Sequence, residues 1–347
     1  MYWCGVSSGA KPFFTWFSTV LLKTVTVHSQ FAARKHYLER KLPLDASFLR
    51  WYHPVSFPVT IPRVAKQLIL NADDFGLTKG VNDGIVRAHR EGILTSATLM
   101  ANGPAFDDAV AHALANPSLG VGCHLVLVGG QAVASSRVIP SLADSQGRLP
   151  ASLGAFVARV SAGAIRRADI ERELSAQIEK IRRAGISPTH LDTHKHTHAH
   201  PRVLEALGRV AQVTGITRIR KPIERLRDSW AGRAPVKQLV AASAARTVSL
   251  KFRTLSRKYG LSSPQNFLGL ASTGGLSPAA LRRLIDTLPD GQTEIMLHPG
   301  ICDADLAATG SRLQQQRELE MNALLDPEVK RAVAEHGIEL ITYRQLA

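Results

Sequence analysis

The chain has 347 residues, of which 45% are hydrophobic and 20% are charged, and its formal net charge is +15. This composition excludes an intrinsically disordered chain, and the length suits one large α/β domain or two small ones. The positive charge indicates an acidic partner (a nucleic acid, an anionic membrane surface or a phosphorylated substrate) or else a basic surface that is merely solvated.

Residues 1–65 form a basic, aromatic-rich segment with only two acids, Glu39 and Asp45. Its most apolar stretch, residues 13–22, is shorter than the roughly 18 residues that span a bilayer. The stretch is compatible with a weak signal peptide or a membrane-surface anchor, although no convincing small-residue cleavage site follows it. We therefore expect 1–65 to be a poorly ordered leader or a mis-called start, and 66–347 to be the folded domain.

Within residues 66–347, strand and helix patterns alternate along the chain. Strands are predicted at 67–72, 95–100, 119–128, 189–193, 216–220, 293–297 and 337–343. Helices are predicted at 78–91, 104–115, 169–184, 201–214 and 277–288. This alternation predicts a mostly parallel sheet wrapped by helices, either open or closed into an α/β barrel.

Residues 225–260 interrupt the alternation with nine basic side chains against one acid, Asp228. Apolar residues fall between the basic ones at helical spacing. The segment is predicted to be a basic amphipathic helical insertion, which suits an anionic membrane surface. A solvated helix packed on the domain is the alternative.

The first candidate site segment places two adjacent carboxylates, Asp73 and Asp74, directly after a buried strand. Active sites of parallel α/β proteins are built at the carboxyl ends of the strands. Because neighbours on an extended chain face opposite sides, one carboxylate could bind a cation while the other takes a proton. A helix cap or a turn is the alternative interpretation.

The second segment places His124 in an otherwise apolar strand, next to Cys123. Cys123 is expected to face away from His124 and to pack in the core. The three cysteines, which include Cys4 and Cys302, are far apart and form no CxxC pair, so they indicate a reducing compartment rather than a disulfide framework.

The third segment, His190 to His200, has five histidines among eleven residues. In a strand, the alternate histidines would share one face with Asp192. Because imidazole nitrogen and carboxylate oxygen are common ligands of borderline metals, this pattern predicts a metal site. The outer histidines, His190 and His200, are equally well explained as cap or surface residues.

A fourth strand ends at His298, which is a reasonable acid or base at the same edge. Two histidines and a carboxylate on a divalent ion leave positions open for water. A second carboxylate can take a proton from that water, and a histidine can protonate a leaving amine. Together these groups predict hydrolysis of an amide.

The motifs NADDFG, GVGCHLVL, THLDTHKHTHAHP and LHPG resemble those of the YdjC-like carbohydrate deacetylase family from about Leu68 onward. The resemblance implies a barrel-like (β/α) fold and a magnesium or zinc ion. It implies metal ligands at Asp74, His124 and His194, a catalytic base at Asp73 and an acid at His298. Two nitrogen ligands favour zinc or another transition metal, whereas the resemblance also allows magnesium. Both ions therefore remain open.

Further segments, such as HLVLVGG and NFLGLASTGGLS, resemble the hopanoid-biosynthesis-associated branch, HpnK. That branch implies an N-acetylglucosaminyl lipid as substrate. Together with the basic insertion at 225–260, such a substrate predicts a cytoplasmic enzyme that contacts an anionic inner membrane peripherally. A soluble chito-oligosaccharide deacetylase is the alternative, and a homodimer is compatible with either. A basic metal- and nucleic-acid-binding protein without catalysis is the alternative of another class. The sparse aromatics among the basic residues of 225–260 argue against nucleic acid.

Overall fold

The computed structural model describes residues 65–224 and 249–346. The expected leader, apart from Ala65, and residues 225–248 of the basic insertion lie outside the described residues. Within these two ranges, seven strands form one sheet: β1 (Lys66–Phe75), β2 (Ser96–Leu99), β3 (Gly120–Leu125), β4 (Leu191–Thr193), β5 (Asn266–Leu268), β6 (Gly291–Leu297) and β7 (Glu339–Leu340). Their order is β4-β3-β2-β1-β6-β5, β7 pairs with β1, and every pairing is parallel.

Ten α-helices lie within the described ranges, most of them between consecutive strands. They are α1 (Lys79–Arg90), α2 (Phe106–Ala115), α3 (Leu153–Ser161), α4 (Arg167–Arg183), α5 (Pro201–Thr214), α6 (Ser249–Tyr259), α7 (Pro278–Asp286), α8 (Ala304–Ala308), α9 (Gln315–Leu325) and α10 (Pro327–Glu335). Two 3₁₀ segments, His194–Ala199 and Tyr343–Gln345, complete the regular structure of residues 65–224 and 249–346. None of these helices has the length and apolar character that crossing a bilayer requires.

Strand β1 occupies the centre of the sheet because its apolar run is buried on both faces. Leu68, Ile69 and Leu70 have no exposed surface, as is typical of parallel strands that helices cover on one side and a core fills on the other. Residues 66–72 of β1 pair with β6, and β2 joins on the other side from Asn71 onward. The carboxyl end of β1 therefore lies in the middle of the sheet edge.

The sheet curves into a barrel-like wall rather than lying flat. Beyond β4, isolated parallel bridges join Leu191 to Ile219 and Arg218 to Ser262. Arg220, which follows Ile219, points inward and pairs with carboxylates on β1, β4 and β6. One side chain can touch three strands of a sheet only if they surround a common interior. The predicted (β/α) barrel-like class is thus confirmed.

Most predicted elements are present, with differences at particular points. The strand predicted at 216–220 makes only the isolated bridges, and the strand predicted at 337–343 shortens to β7. Helices α3, α8 and α9 and strand β5 were not predicted. Of the basic insertion, the described part is α6, which packs on α5 with the Tyr259 ring against Gly208. The Phe252 ring of α6 is also buried.

Candidate active site

The turn after β1 separates the two adjacent aspartates. Asp74 adopts a left-handed backbone conformation with φ of 66°, which is uncommon for a residue other than glycine. The pairing of β1 with β2 shifts register at the same point. Asp73 and Asp74 face different partners, as the sequence predicted, but a local bulge rather than simple strand alternation separates them.

Three side chains from the carboxyl ends of β1, β3 and β4 converge on one point. Asp74 Oδ1 lies 3.4 Å from His124 Nε2 and 3.2 Å from His194 Nδ1, and the two nitrogens are 3.2 Å apart. Asp74 and His124 are buried, while a quarter of the His194 side chain is exposed. Within the described part of the chain, Asp74 Oδ1 is buried without a hydrogen-bond partner. The three atoms have the convergence that a cation requires.

The orientation of His124 is fixed by Asp192. His124 Nδ1 donates to Asp192 Oδ1 at 2.8 Å, and the Thr98 hydroxyl donates to the other Asp192 oxygen at 3.2 Å. Nε2 is thereby aimed at Asp74, as outer partners commonly aim metal-binding imidazoles. Burial opposes the charged imidazolium, but the carboxylates of Asp192 and Asp74 outweigh it and raise the pKa of His124 to about 10. A cation at Nε2 would take the place of that proton.

Asp73 is held by a buried arginine. Arg220 Nη1 and Nη2 donate to the two Asp73 oxygens at 2.7 and 2.6 Å. Burial alone would raise the pKa of Asp73, but the Arg220 charge outweighs it and lowers the pKa below its ordinary value. Asp73 is therefore a carboxylate beside the three converging atoms.

Arg220 also ties Asp73 to a wider buried network that sequence reasoning missed. Its guanidinium lies 2.6 Å from Asp192 and 2.8 Å from Glu294, and the Tyr343 hydroxyl donates to Glu294 at 2.5 Å. All five side chains are almost fully buried. A glutamate inside the apolar strand β6 and an arginine ending the segment 216–220 were the available signals.

His298 follows β6 and lies at the same edge, because Leu297 pairs with Ala72 just before Asp73. The backbone N–H of His298 donates to Glu320 at 2.6 Å, and His298 Nδ1 lies 3.8 Å from the same oxygen. Burial lowers the pKa of His298 to about 4 and raises the pKa of Glu320 to about 7. At neutral pH the imidazole is uncharged, so it can act as an acid only after it receives a proton.

The expectation that alternate histidines share one face is wrong. Strand β4 ends at Thr193, and Lys195 and His196 then adopt left-handed conformations with φ of 55° and 52°. Of the five histidines of this segment, only His194 joins the cluster of Asp74 and His124.

The other histidines of the segment have structural contacts. His198 bonds to the Thr193 hydroxyl at 2.7 Å and to the Arg220 carbonyl at 3.1 Å. His200 is the N-cap of α5, in agreement with its interpretation as a cap or surface residue. His190 is neither a cap nor a surface residue, because it is buried and stacked on Tyr343 with ring centroids 3.6 Å apart.

Cys123 is fully buried in the core, as predicted. Burial raises the pKa of the Cys123 thiol far above its ordinary value, with Asp192 adding to the effect. The thiol is therefore neutral and does not belong to the ligand cluster.

A barrel-like parallel sheet that gathers one carboxylate and two imidazoles at its carboxyl edge, beside a second carboxylate, defines an α/β protein with a candidate hydrolytic metal centre. The chain belongs to the YdjC-like protein family, whose model matches residues 67–335. Every residue named for the candidate site, except Tyr343, lies within that match.

Similar proteins span the same region. A carbohydrate deacetylase of Geobacillus stearothermophilus is 41% identical over 278 residues, which cover 80% of this chain and 96% of the relative. A carbohydrate deacetylase of Brevibacillus brevis is 34% identical and is covered over 99% of its length, with 81% of this chain. A candidate cellobiose-phosphate cleavage protein of Enterococcus faecalis V583, known from a crystal structure, shares 26% identity at a TM-score of 0.66, covering 82% of this chain and 99% of its own.

Proposed function

We propose that this protein is a metal-dependent carbohydrate deacetylase that removes an N-acetyl group from an amino sugar. The observation that carries the proposal is the convergence of Asp74 Oδ1, His124 Nε2 and His194 Nδ1 within 3.4 Å of one another. The names of the two bacterial relatives, both carbohydrate deacetylases matched over nearly their whole length, support the substrate class.

The donor set favours zinc, or another transition ion, over magnesium. Two of the three converging atoms are imidazole nitrogens. Imidazole suits zinc and other transition ions, whereas magnesium prefers oxygen ligands. When bound, such an ion would polarise the acetyl carbonyl and lower the pKa of water.

The remaining chemistry falls to Asp73 and His298. Water adds to the amide carbonyl carbon, and the Asp73 carboxylate, fixed by Arg220, takes the proton that the water loses. The C–N bond then breaks, and the amine nitrogen takes a proton from His298. Because His298 is uncharged at neutral pH, it first has to receive that proton. The water supplies two protons: one goes to Asp73 and is later lost to solvent, and the other, left on the hydroxyl of the tetrahedral carbon, passes through His298 to the amine. The products are acetate and the free amino sugar.

We propose further that the sugar is lipid-linked, as the hopanoid-associated sequence segments imply. Helix α6 supports this proposal because its N-terminal half lies near the histidine segment that follows His194. The Phe252 and His198 ring centroids are 6.4 Å apart. Burial lowers the pKa of His200, and the positive charges of Arg202 and of Lys251 on α6 lower it further.

The outer face of α6 suits an anionic membrane. The helix carries four basic residues and no acid, and the Leu250 side chain on it is 72% exposed. Basic side chains near an anionic bilayer each contribute about 1 kcal/mol, and an exposed leucine can enter the headgroup layer. A membrane-bound substrate would then meet the site at this rim.

An acetate-release assay tests the activity and the substrate together. Zinc-loaded protein is given a diacetylated chitobiose in one arm and an N-acetylglucosaminyl lipid in vesicles in the other. We expect acetate from both, with the lipid preferred. Acetate from chitobiose alone would make a soluble oligosaccharide the substrate, and acetate from neither would refute the deacetylase proposal.

Vesicle co-sedimentation tests the membrane contact separately. Binding should rise with the fraction of anionic lipid, fall with salt, and drop when Lys251 and Arg253 are changed to Glu. Lys180 and Arg183 changed to Glu form the matched control, because they lie at the end of α4 that leads into the amino end of β4. Wild-type protein that ignores anionic vesicles at low salt would refute the contact.

A further inference from the structure

A second buried arginine lies behind the candidate metal centre. Arg317 on α9 is 1% exposed, and its Nη2 donates to Asp74 Oδ2 at 2.7 Å. Nothing in the sequence around Arg317 pointed to the site, because the two residues are 243 positions apart. The contact joins a helix near the end of the chain to the end of the first strand.

The contact divides the two oxygens of the Asp74 carboxylate. Oδ2 is engaged by Arg317, while Oδ1 faces His124 and His194 and has no hydrogen bond within the described ranges. A carboxylate held at one oxygen by a charge-assisted bond resists rotation about its last torsion. Asp74 therefore offers the cluster one oxygen rather than two.

The anchoring of Arg317 makes this restraint firm. Its Nε donates to the Leu313 carbonyl at 3.3 Å, and its own carbonyl accepts from the Gly300 N–H at 3.2 Å. In the part of the chain that the structure describes, its Nη1 has no acceptor. The guanidinium thus makes a one-point contact with Asp74 from a fixed position.

The two buried arginines treat the two adjacent aspartates differently. Arg220 engages both oxygens of Asp73, at 2.7 and 2.6 Å, whereas Arg317 engages one oxygen of Asp74. The carboxylate with both oxygens occupied is poorly placed to bind a cation, and the one with a free oxygen is well placed. The arginine partners therefore separate the roles of residues that are neighbours in sequence.

We infer that Arg317 is a positioning residue of the metal centre, which holds Asp74 so that a single oxygen faces the cation; this inference rests on the proposed function. Partners that orient metal ligands typically affect metal affinity by about 10–100-fold. Arg317 would act through Asp74, without touching the substrate.

The test is the dissociation constant of Zn²⁺, measured by competition with a chromogenic chelator on the full chain. Arg317→Met should weaken Zn²⁺ binding by about 10–100-fold, and Arg317→Lys, which can still donate to one oxygen, should recover much of the loss. Arg202→Met is the matched control, since Arg202 is an arginine that donates to a backbone carbonyl, that of Val160, and not to Asp74. Its affinity should equal that of the wild type.

The outcomes separate this inference from the proposed function. Wild-type protein that binds no Zn²⁺ would refute the metal centre itself. Wild-type binding with an Arg317→Met affinity within twofold of it would overturn the positioning role and leave the metal centre intact. Should Arg317→Met fail to fold, Arg317→Gln and Arg317→Lys decide by the same criterion: a Gln variant that binds as tightly as the wild type overturns the role.

Discussion

Replacing Asp73 by Asn tests whether the two adjacent carboxylates have separate roles. The substitution removes a charge but keeps one oxygen that can accept from Arg220. Arg220 remains paired, because it also contacts Asp192 and Glu294 at 2.6 and 2.8 Å. The Asp74 cluster is not touched, so the variant should keep its metal.

The expected magnitudes differ for rate and stability. Loss of a general base costs about 100-fold or more in kcat, which corresponds to about 2.7 kcal/mol of activation free energy. The stability cost is one weakened charge-assisted hydrogen bond, about 1–3 kcal/mol. Glu294→Gln is the matched control. It removes the negative charge of another carboxylate that pairs with Arg220, and it should reduce the rate far less.

Three measurements on each variant decide the matter: acetate release, metal content and the urea midpoint. Turnover of Asp73→Asn within tenfold of the wild type would show that Asp73 is not the base. Loss of metal from Asp73→Asn, with metal retained in Asp74→Asn, would show that the two roles are reversed.

Three further predictions concern the ligand His194, the buried His190 and the close packing of Gly122 against the His190 ring. His194→Ala should lose bound metal and all turnover, and stoichiometric metal in that variant would disprove the ligand assignment. Burial lowers the pKa of His190 to about 3. Below about pH 6.5 the imidazole is therefore protonated in the unfolded chain but still neutral in the folded protein. The free energy of unfolding should therefore fall as the pH drops from 6.5 towards 3, and His190→Phe should flatten that slope in urea titrations; an unchanged slope would contradict the assignment. Gly122→Ala should cost about 1–3 kcal/mol, since its Cβ would lie 2.4 Å from the His190 ring. Gly154→Ala, whose Cβ meets nothing within 4 Å among the described residues, is its control, and equal urea midpoints would contradict the packing argument.

The convergence of Asp74, His124 and His194 could be anticipated from sequence because of one topological rule. Each residue follows or ends an apolar strand, and the carboxyl ends of parallel strands meet at one edge. The period of the apolar residues located the strands, and the sheet then brought residues 50 and 70 positions apart into contact. The motif resemblance added the choice of His194 from among five histidines.

The arginine partners could not be anticipated, because no local pattern specifies them. Arg220 and Arg317 lie 147 and 243 positions from the aspartates they hold. Their burial follows from the closure of the sheet and the docking of α9, which are tertiary events. The prediction that alternate histidines share one face failed for a related reason. Left-handed conformations at Lys195 and His196 end the strand, and a lysine or a histidine in the sequence does not predict such a conformation.

In the proposed function, the cluster of Asp74, His124 and His194 holds a metal on which deacetylation depends. This dependence is tested most directly by titrating metal-free protein with Zn²⁺ while acetate release from an N-acetylated amino sugar is followed. We expect no release without metal, and a rate that rises with bound zinc and saturates at one ion per chain. Full activity of the metal-free protein in the presence of a chelator would show that the cluster holds no catalytic metal.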